Sequence, residues 1–226
     1  MNDKKICFIS CVTDEREYSE SLLYIDQLRK PVDFEVEKIA IRDAKSMAEA
    51  YNRAMKKSDP KYKVFLHQDV FIVNKNFIFD TLALFNGQDK IGILGVCGAK
   101  KLPENGIWWE AKQRFGCVFD SHTQTMKLLQ FQDVSSDFEL VEALDGLILM
   151  TQYDIPWRED LFDDFHFYDT SQCMEFAHAG YLVVVPDQKT PWVVHDCGFK
   201  EHWHVQYERS RKLFLEKYLQ KCTNET

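Results

Sequence analysis

Glycine is scarce in this chain, with nine in 226 residues, and the few present form neither a GxGxxG nor a GxxxxGK[ST] loop. Dinucleotide-binding dehydrogenases and P-loop enzymes need such loops to bring the backbone against phosphate, so both classes are excluded. A GxSxG elbow is missing too, which removes the common serine-hydrolase architecture. The seven cysteines contain no CxxC pair, so neither a structural zinc site nor a disulfide framework is indicated, and reduced thiols are expected. No apolar run reaches the length of a membrane span, and residues 6–12 are too short and too polar for a secretory leader. A cytoplasmic address is therefore expected, with no transmembrane segment. Basic residues are outnumbered 28 to 36, giving a net charge of -8, and no basic patch stands out, so a nucleic-acid partner is not expected.

What remains is a chain built to bury a core: 45% hydrophobic, 14% aromatic and 28% charged. Residues 6–12 form a short apolar run that reads as a buried strand, and residues 18–28 carry apolar positions at helical spacing up to Pro31. Residues 34–41 alternate like a strand. Ser46 is placed to cap a helix with Met47, Ala50, Tyr51, Ala54 and Met55 on one side. After the Asp59-Pro60 turn, residues 64–66 read as a third buried strand. Strand, helix, strand, helix, strand predicts an α/β fold with a mostly parallel sheet and helices on both faces. A helix over 76–85 and a strand over 91–97 follow. Farther on, the pattern gives a loop over 103–116 holding Trp108 and Trp109, a hairpin over 116–131 and strand-like residues over 139–150. An acidic, aromatic loop over 156–168, a helix over 171–179, a strand over 181–185 and a charged helix over 199–219 complete it. Without a linker or repeat, residues 1–226 parse as one domain. It parses with a nucleotide-binding front half over 1–100, a second half over 101–200, to which the resemblance named below assigns acceptor binding and catalysis, and a C-terminal helix over 200–221.

Parallel sheets bind ligands at the carboxyl ends of their strands. Asp14, Asp43 and Asp69 fall at three successive ends. Asp is also a common turn residue. For Asp69, which interrupts the apolar run of residues 64–72, a turn cap and a metal or phosphate ligand both fit the local sequence. Around Asp163, Asp164 and Asp169, carboxylates alternate with aromatics, a setting that raises a carboxylate's pKa and suits a general base. His195 follows another apolar strand and is placed for a metal ligand. His202 and His204 lie close behind, which leaves a His/Asp metal hydrolase as a third possibility.

Taken together these segments resemble the GT-A-fold, family-two-like glycosyltransferases. The resemblance rests on Asp14, on Asp43 ahead of the helix with residues 51–55 (YNRAM), on residues 61–72 (KYKVFLHQDVFI), on Asp163 through Asp169, and on Gly180-Tyr181. Residues 108–109, 144–146 and 194–198 extend it to the streptomycin biosynthesis protein StrF-like domain, over roughly residues 4–200. The resemblance implies a GT-A fold and a donor that is a UDP- or GDP-linked sugar. Cys11, Val12, Asp14, Asp43, Asn52 and Gln68 would lie at the nucleotide. Asp69 and His195 would hold Mn²⁺ or Mg²⁺. Asp169 would act as catalytic base, with Asp164 and Asp145 as further catalytic carboxylates. Trp108, Trp109 and Gly146 would line a pocket for the sugar or for a glycan or small-molecule acceptor. The chain departs from the family pattern at two points: the metal motif is thinned to His67-Gln68-Asp69, and the base motif reads Tyr168-Asp169. A non-catalytic module that binds a nucleotide sugar or glycan is the alternative reading.

Overall fold

The computed structural model describes residues 1–198 and 204–220. Alternation within β1 (Asn2–Cys11) organises the interior. Successive strand residues point to opposite faces, and here both faces are covered. Ile6 and Phe8 join α1 (Glu15–Ile25) and α3 (Phe77–Gly87) in one apolar cluster. Cys7, Ile9 and Cys11 join α2 (Met47–Met55) and α4 (Tyr168–His178) in the other. Side-chain caps fix two helix starts. Asp14 Oδ1 accepts from the backbone N–H groups of Arg16 and Glu17, and Ser46 Oγ accepts from that of Glu49.

Around β1 runs a seven-stranded sheet in the order β2-β1-β3-β11-β5-β12-β9. Its other strands are β2 (Glu35–Ile41), β3 (Pro60–Leu66), β5 (Ile91–Gly95), β9 (Phe138–Leu140), β11 (Ile148–Thr151) and β12 (Leu182–Pro186). Pairing is parallel between β1 and both β2 and β3, and between β5 and β12; β9 and β11 run antiparallel to their neighbours. Five of the seven strands therefore point the same way, as the expected mostly parallel sheet requires, and the reversed β9 and β11 make it mixed.

A second sheet, which the sequence pattern does not reveal, lies in the order β10-β6-β7-β13-β4, with β8 (Lys127–Gln130) paired to β7. It contains β4 (Val70–Ile72), β6 (Cys97–Ala99), β7 (Arg114–Asp120), β10 (Ala143–Leu144) and β13 (Val193–His195). Two expected strands are split between the sheets. Residues 91–97 divide at Val96 into β5 and β6, and the strand-like stretch 139–150 becomes β9, β10 and β11. Gly116 permits the crossing at Val96. Its φ is +91°, and a Cβ there would lie 2.0 Å from the Val96 carbonyl oxygen.

Other boundaries also move. β3 takes in Pro60 and Lys61, because proline is tolerated as the first residue of a strand. α4 starts at Tyr168 instead of Ser171, entered through Phe167 at φ +59°, so Tyr168, expected to end the loop, and Asp169 both belong to the first turn of a helix. The C-terminal helix appears as α5 (His204–Phe214), followed by a π-helical turn, Leu215–Leu219; its expected start over 199–203 lies outside the described residues. α5 lies over the acidic, aromatic loop in a small core of Phe162, Phe167, Tyr207 and Phe214.

Two polar residues hold that loop in place. Asn52 Nδ2 donates to the Trp157 carbonyl and its Oδ1 accepts from the Trp157 N–H, both at 2.9 Å and both buried. Asp164 Oδ2 accepts from Ser210 Oγ on α5 at 2.6 Å, while its Oδ1 accepts from the His166 N–H. Asn52→Ala strands two buried backbone groups, so it is expected to cost about 2–4 kcal/mol of stability, measured as a lower midpoint in urea denaturation. No helix among the described residues is long and apolar enough to cross a membrane.

Candidate active site

β13 carries the link between the two halves of the site. It pairs antiparallel to β4 and parallel to β7, so His195 has Val70 as register partner on one side and Asp120 on the other. Asp69 immediately precedes Val70, and the Asp196 N–H donates to the Asp69 carbonyl at 2.9 Å. The side chains consequently form a row. His195 Nε2 lies 3.6 Å from Asp69 Oδ1, and His195 Nδ1 lies 2.8 Å from Asp120 Oδ2. His67 Nδ1 is 4.0 Å from the same Asp69 oxygen. Asp69 is 2% exposed, so its carboxylate faces this row and not bulk water.

Electrostatics in the row follow from those contacts. Burial works against a charge on His195, but the hydrogen bonds with Asp120 and Cys197, backed by the charge of Asp69, outweigh it and raise the ring's pKa to about 10. Burial alone would raise Asp120; His195 and His122 overcome it and bring the carboxyl down to about 2. His67, Asp69 and His195 each offer a ligand atom within 4.8 Å of the others. One carboxylate and two imidazoles fit a divalent ion such as Mn²⁺ better than Mg²⁺, which favours an all-oxygen shell.

His67 joins this row to a neighbouring cleft of about 170 Å³. Its Nε2 lies 2.6 Å from the Tyr168 hydroxyl, which donates to the Gly146 carbonyl at 3.1 Å. Asp145, Gly146 and Asp169 line the cleft, with Trp108, Trp109 and Tyr207 among its aromatic walls. Asp169 Oδ2 accepts from the Gly146 N–H at 2.9 Å and Oδ1 from the Thr170 N–H at 2.7 Å. Burial, reinforced by the nearby charge of Asp145, nevertheless raises Asp169 to about 7. Burial also raises Asp145 above the usual carboxylate range. A carboxylate poised near neutrality beside a cleft can accept a proton from a bound hydroxyl.

Gly146 has no room for a side chain: a Cβ would fall 2.3 Å from the Tyr168 hydroxyl and 2.9 Å from Asp169 Cβ. Gly146→Ala is expected to displace both and, because misplacements near 1 Å are costly, to lower activity about 10²-fold. Steady-state kinetics alongside a melting curve separate this from unfolding.

The expected residues thus divide into groups. Asp69 and His195 come together, and Asp145, Gly146, Asp169, Trp108 and Trp109 share the adjoining cleft. Gln68 ties strand ends: its Oε1 accepts from the Thr13 and Asp14 N–H groups and its Nε2 donates to Glu17. Asp14 caps α1 and lines a shallow acidic hollow with Glu17 and Asp196. Asp43 stands exposed past the end of β2 at φ +57°. Cys11 and Val12 are buried, so only their backbone can meet a ligand. Asn52 and Asp164 are corrections. The amide of Asn52 is spent on Trp157, and the Asp164 carboxylate is spent on Ser210 and His166, which leaves neither facing the cleft. His202 lies outside the described residues, and His204 opens α5. The sequence does not single out Asp120 or Tyr207, and Tyr168, expected only as the residue before Asp169 in the base motif, supplies the contact with His67. Asp120 ends an apolar strand as Asp69 does, but a hairpin turn hid that signal.

A mixed central sheet under helices on both faces, with His67 and Asp69 just past the end of β3 and His195 beside them at the end of β13, defines a GT-A-type α/β protein. The chain belongs to the Glycosyltransferase like family, whose match covers residues 7–218. Among solved structures it is similar to a mannosyltransferase, PcManGT, from Pyrobaculum calidifontis in complex with GDP-Man and Mn²⁺. Identity is 12%, covering 90% of this chain and 59% of that one, with a TM-score of 0.53. It is also similar to TarS 1–349 from S. aureus in complex with UDP-GlcNAc, at 12% identity, 88% and 60% coverage and a TM-score of 0.56. The chain therefore spans about three fifths of the length of these structures. No curated protein matches it.

Proposed function

We propose that this protein transfers a sugar from a UDP- or GDP-linked donor to a hydroxyl of a glycan or small-molecule acceptor, with inversion at the anomeric carbon. One observation carries the reading: the His67, Asp69 and His195 row adjoins a cleft whose wall holds Asp169, with His67 and Tyr168 bridging the two. Cys11 and Val12, through their backbone, and Asp14 and Asp43 lie on the nucleoside side. Asp69, His195 and His67 would hold Mn²⁺ or Mg²⁺ beside the diphosphate. A divalent ion bound there supplies positive charge that stabilises the departing nucleoside diphosphate.

Asp169, ionised, accepts the acceptor's proton as its oxygen attacks the anomeric carbon. The N–H groups of Gly146 and Thr170 hold both carboxylate oxygens in place for that transfer. Burial, reinforced by Asp145, keeps the Asp169 pKa high, which makes it a stronger base. Trp108, Trp109 and Tyr207 exclude water and offer flat apolar faces to a sugar ring. The StrF-like motifs of residues 108–109, 144–146 and 194–198 support placing the chain in that group, since all three contribute to this site.

The single carboxylate of His67-Gln68-Asp69 favours a second reading, a module that binds a nucleotide sugar without transfer. Incubation with UDP- and GDP-sugars, Mn²⁺ and a panel of acceptors separates the two. Release of nucleoside diphosphate from one donor class is expected. Binding without release across the panel favours the module, and binding of neither class refutes both.

A further inference from the structure

His195 has a second face. Its Nδ1 side, turned away from Asp69, meets Asp120 Oδ2 at 2.8 Å, and Cys197 Sγ lies 3.9 Å from the same oxygen. These three ligand atoms lie within 4.8 Å of one another, forming a cluster separate from the Asp69 one except for the shared ring. We propose that Asp120, His195 Nδ1 and Cys197 form a second metal site, selective for Zn²⁺, which leaves a fourth position for water or for the adjacent His122.

The chemistry of the donors sets the choice of ion. Thiolate, imidazole and carboxylate together are a zinc set, whereas Mn²⁺ and Mg²⁺ are poorly served by sulfur. Tetrahedral zinc with bonds of about 2.0–2.3 Å separates its ligands by about 3.3–3.8 Å. The 2.8 and 3.9 Å spacings bracket that separation, so small side-chain rotations suffice. Local structure supports the cluster. The Asp120 side chain is fixed at the end of β7 by the His122 N–H, the Ser121 N–H donates to the His195 carbonyl, and Gly198 N donates to Ser121 Oγ, which holds the backbone after Cys197 near β7. Cys197 is partly exposed, so an ion can reach it. Cys7, Cys11, Cys97, Cys117 and Cys173 are all buried.

Sharing one imidazole makes the two sites antagonists. Zinc on Nδ1 leaves the ring's proton on Nε2, where it faces Asp69 and leaves no lone pair for an ion there. An ion on Nε2 puts the proton on Nδ1, which then donates to Asp120. Zinc should therefore compete with Mn²⁺-dependent nucleotide binding. This consequence rests on the metal role proposed for Asp69, but the zinc site itself does not.

The test is titration of the chelator-treated full chain with Zn²⁺, and separately with Co²⁺ as a spectroscopic substitute. One zinc ion per chain is expected. Cys197→Ser should weaken it by more than the roughly 10–100-fold that loss of an outer-shell partner costs, as should Asp120→Asn. Asp69→Asn should keep zinc while losing Mn²⁺. Co²⁺ should give a thiolate charge-transfer band in the wild type that Cys197→Ser lacks. Cys197→Ser changes a partly exposed side chain by one atom, and a melting curve confirms that it is folded. Zinc affinity unchanged in Cys197→Ser overturns the proposal, as does zinc lost only in Asp69→Asn. Either result leaves the Mn²⁺ and nucleotide measurements, and so the transferase reading, to stand or fall separately.

Discussion

Replacing Asp169 with asparagine is expected to cut sugar transfer by about 10²–10⁴-fold, the range for loss of a general base, with nucleotide-sugar affinity changed little. The side chain keeps its shape but cannot take a proton from the acceptor. The pH profile makes the prediction specific. Asp169 titrates at about 7, and only its ionised form is a base, so wild-type kcat should rise as pH increases through about 7 and level off above it. In Asp169→Asn that limb disappears. A linked effect appears in stability. The folded pKa lies above the unfolded carboxylate value of about 3.9, so between about pH 4 and pH 7 the native state holds a proton that the unfolded chain has released. Stability from this group is therefore present at low pH and lost as pH rises through about 7. Denaturation of wild type and Asp169→Asn at pH 5 and pH 8 should show the difference moving in favour of asparagine at the higher pH. Equal movement in both proteins would contradict the assignment.

Asp69→Asn should have the larger effect on binding. Asp69 is the carboxylate of the His67, Asp69 and His195 group, is 2% exposed, and lies between two imidazoles. Removing its charge leaves two imidazoles and no anionic ligand in direct contact with a dication. Mn²⁺-dependent affinity for a nucleoside diphosphate should fall at least about 100-fold, equivalent to about 2.7 kcal/mol. Because the amide is nearly isosteric, the fold should survive, and metal-independent contacts to the base should persist as weak binding. The pattern of strong loss with Mn²⁺ and little change without it separates a ligand role from a turn cap, whose loss would appear in stability at any metal concentration.

The site was partly legible in the sequence because burial and polarity alternate sharply where strands end. Asp69 interrupts and His195 closes an apolar run, and the structure brings the two side chains within 3.6 Å of each other. The second sheet was not legible. β4, β6 and β13 are three residues long, too short for a period-two pattern to register, and β10 has only two. Asp120 was lost with it, since its importance comes from register with His195 across 75 residues. Asn52 and Asp164 show the converse limit. A polar residue in an apolar segment needs a partner, but sequence does not distinguish a ligand from the backbone of Trp157 or the hydroxyl of Ser210. The start of α4 was obscured because Phe167 enters it through a left-handed backbone conformation, which no local pattern announces.

The most direct measurement is calorimetric titration of the wild-type chain with UDP and with GDP, each with and without Mn²⁺, repeated on Asp69→Asn. One of the two nucleotides should bind, Mn²⁺ should tighten it, and the tightening should vanish in Asp69→Asn. Affinity for the bound nucleotide that is the same with and without Mn²⁺, or Mn²⁺ enhancement retained in Asp69→Asn, would contradict the metal role proposed for Asp69.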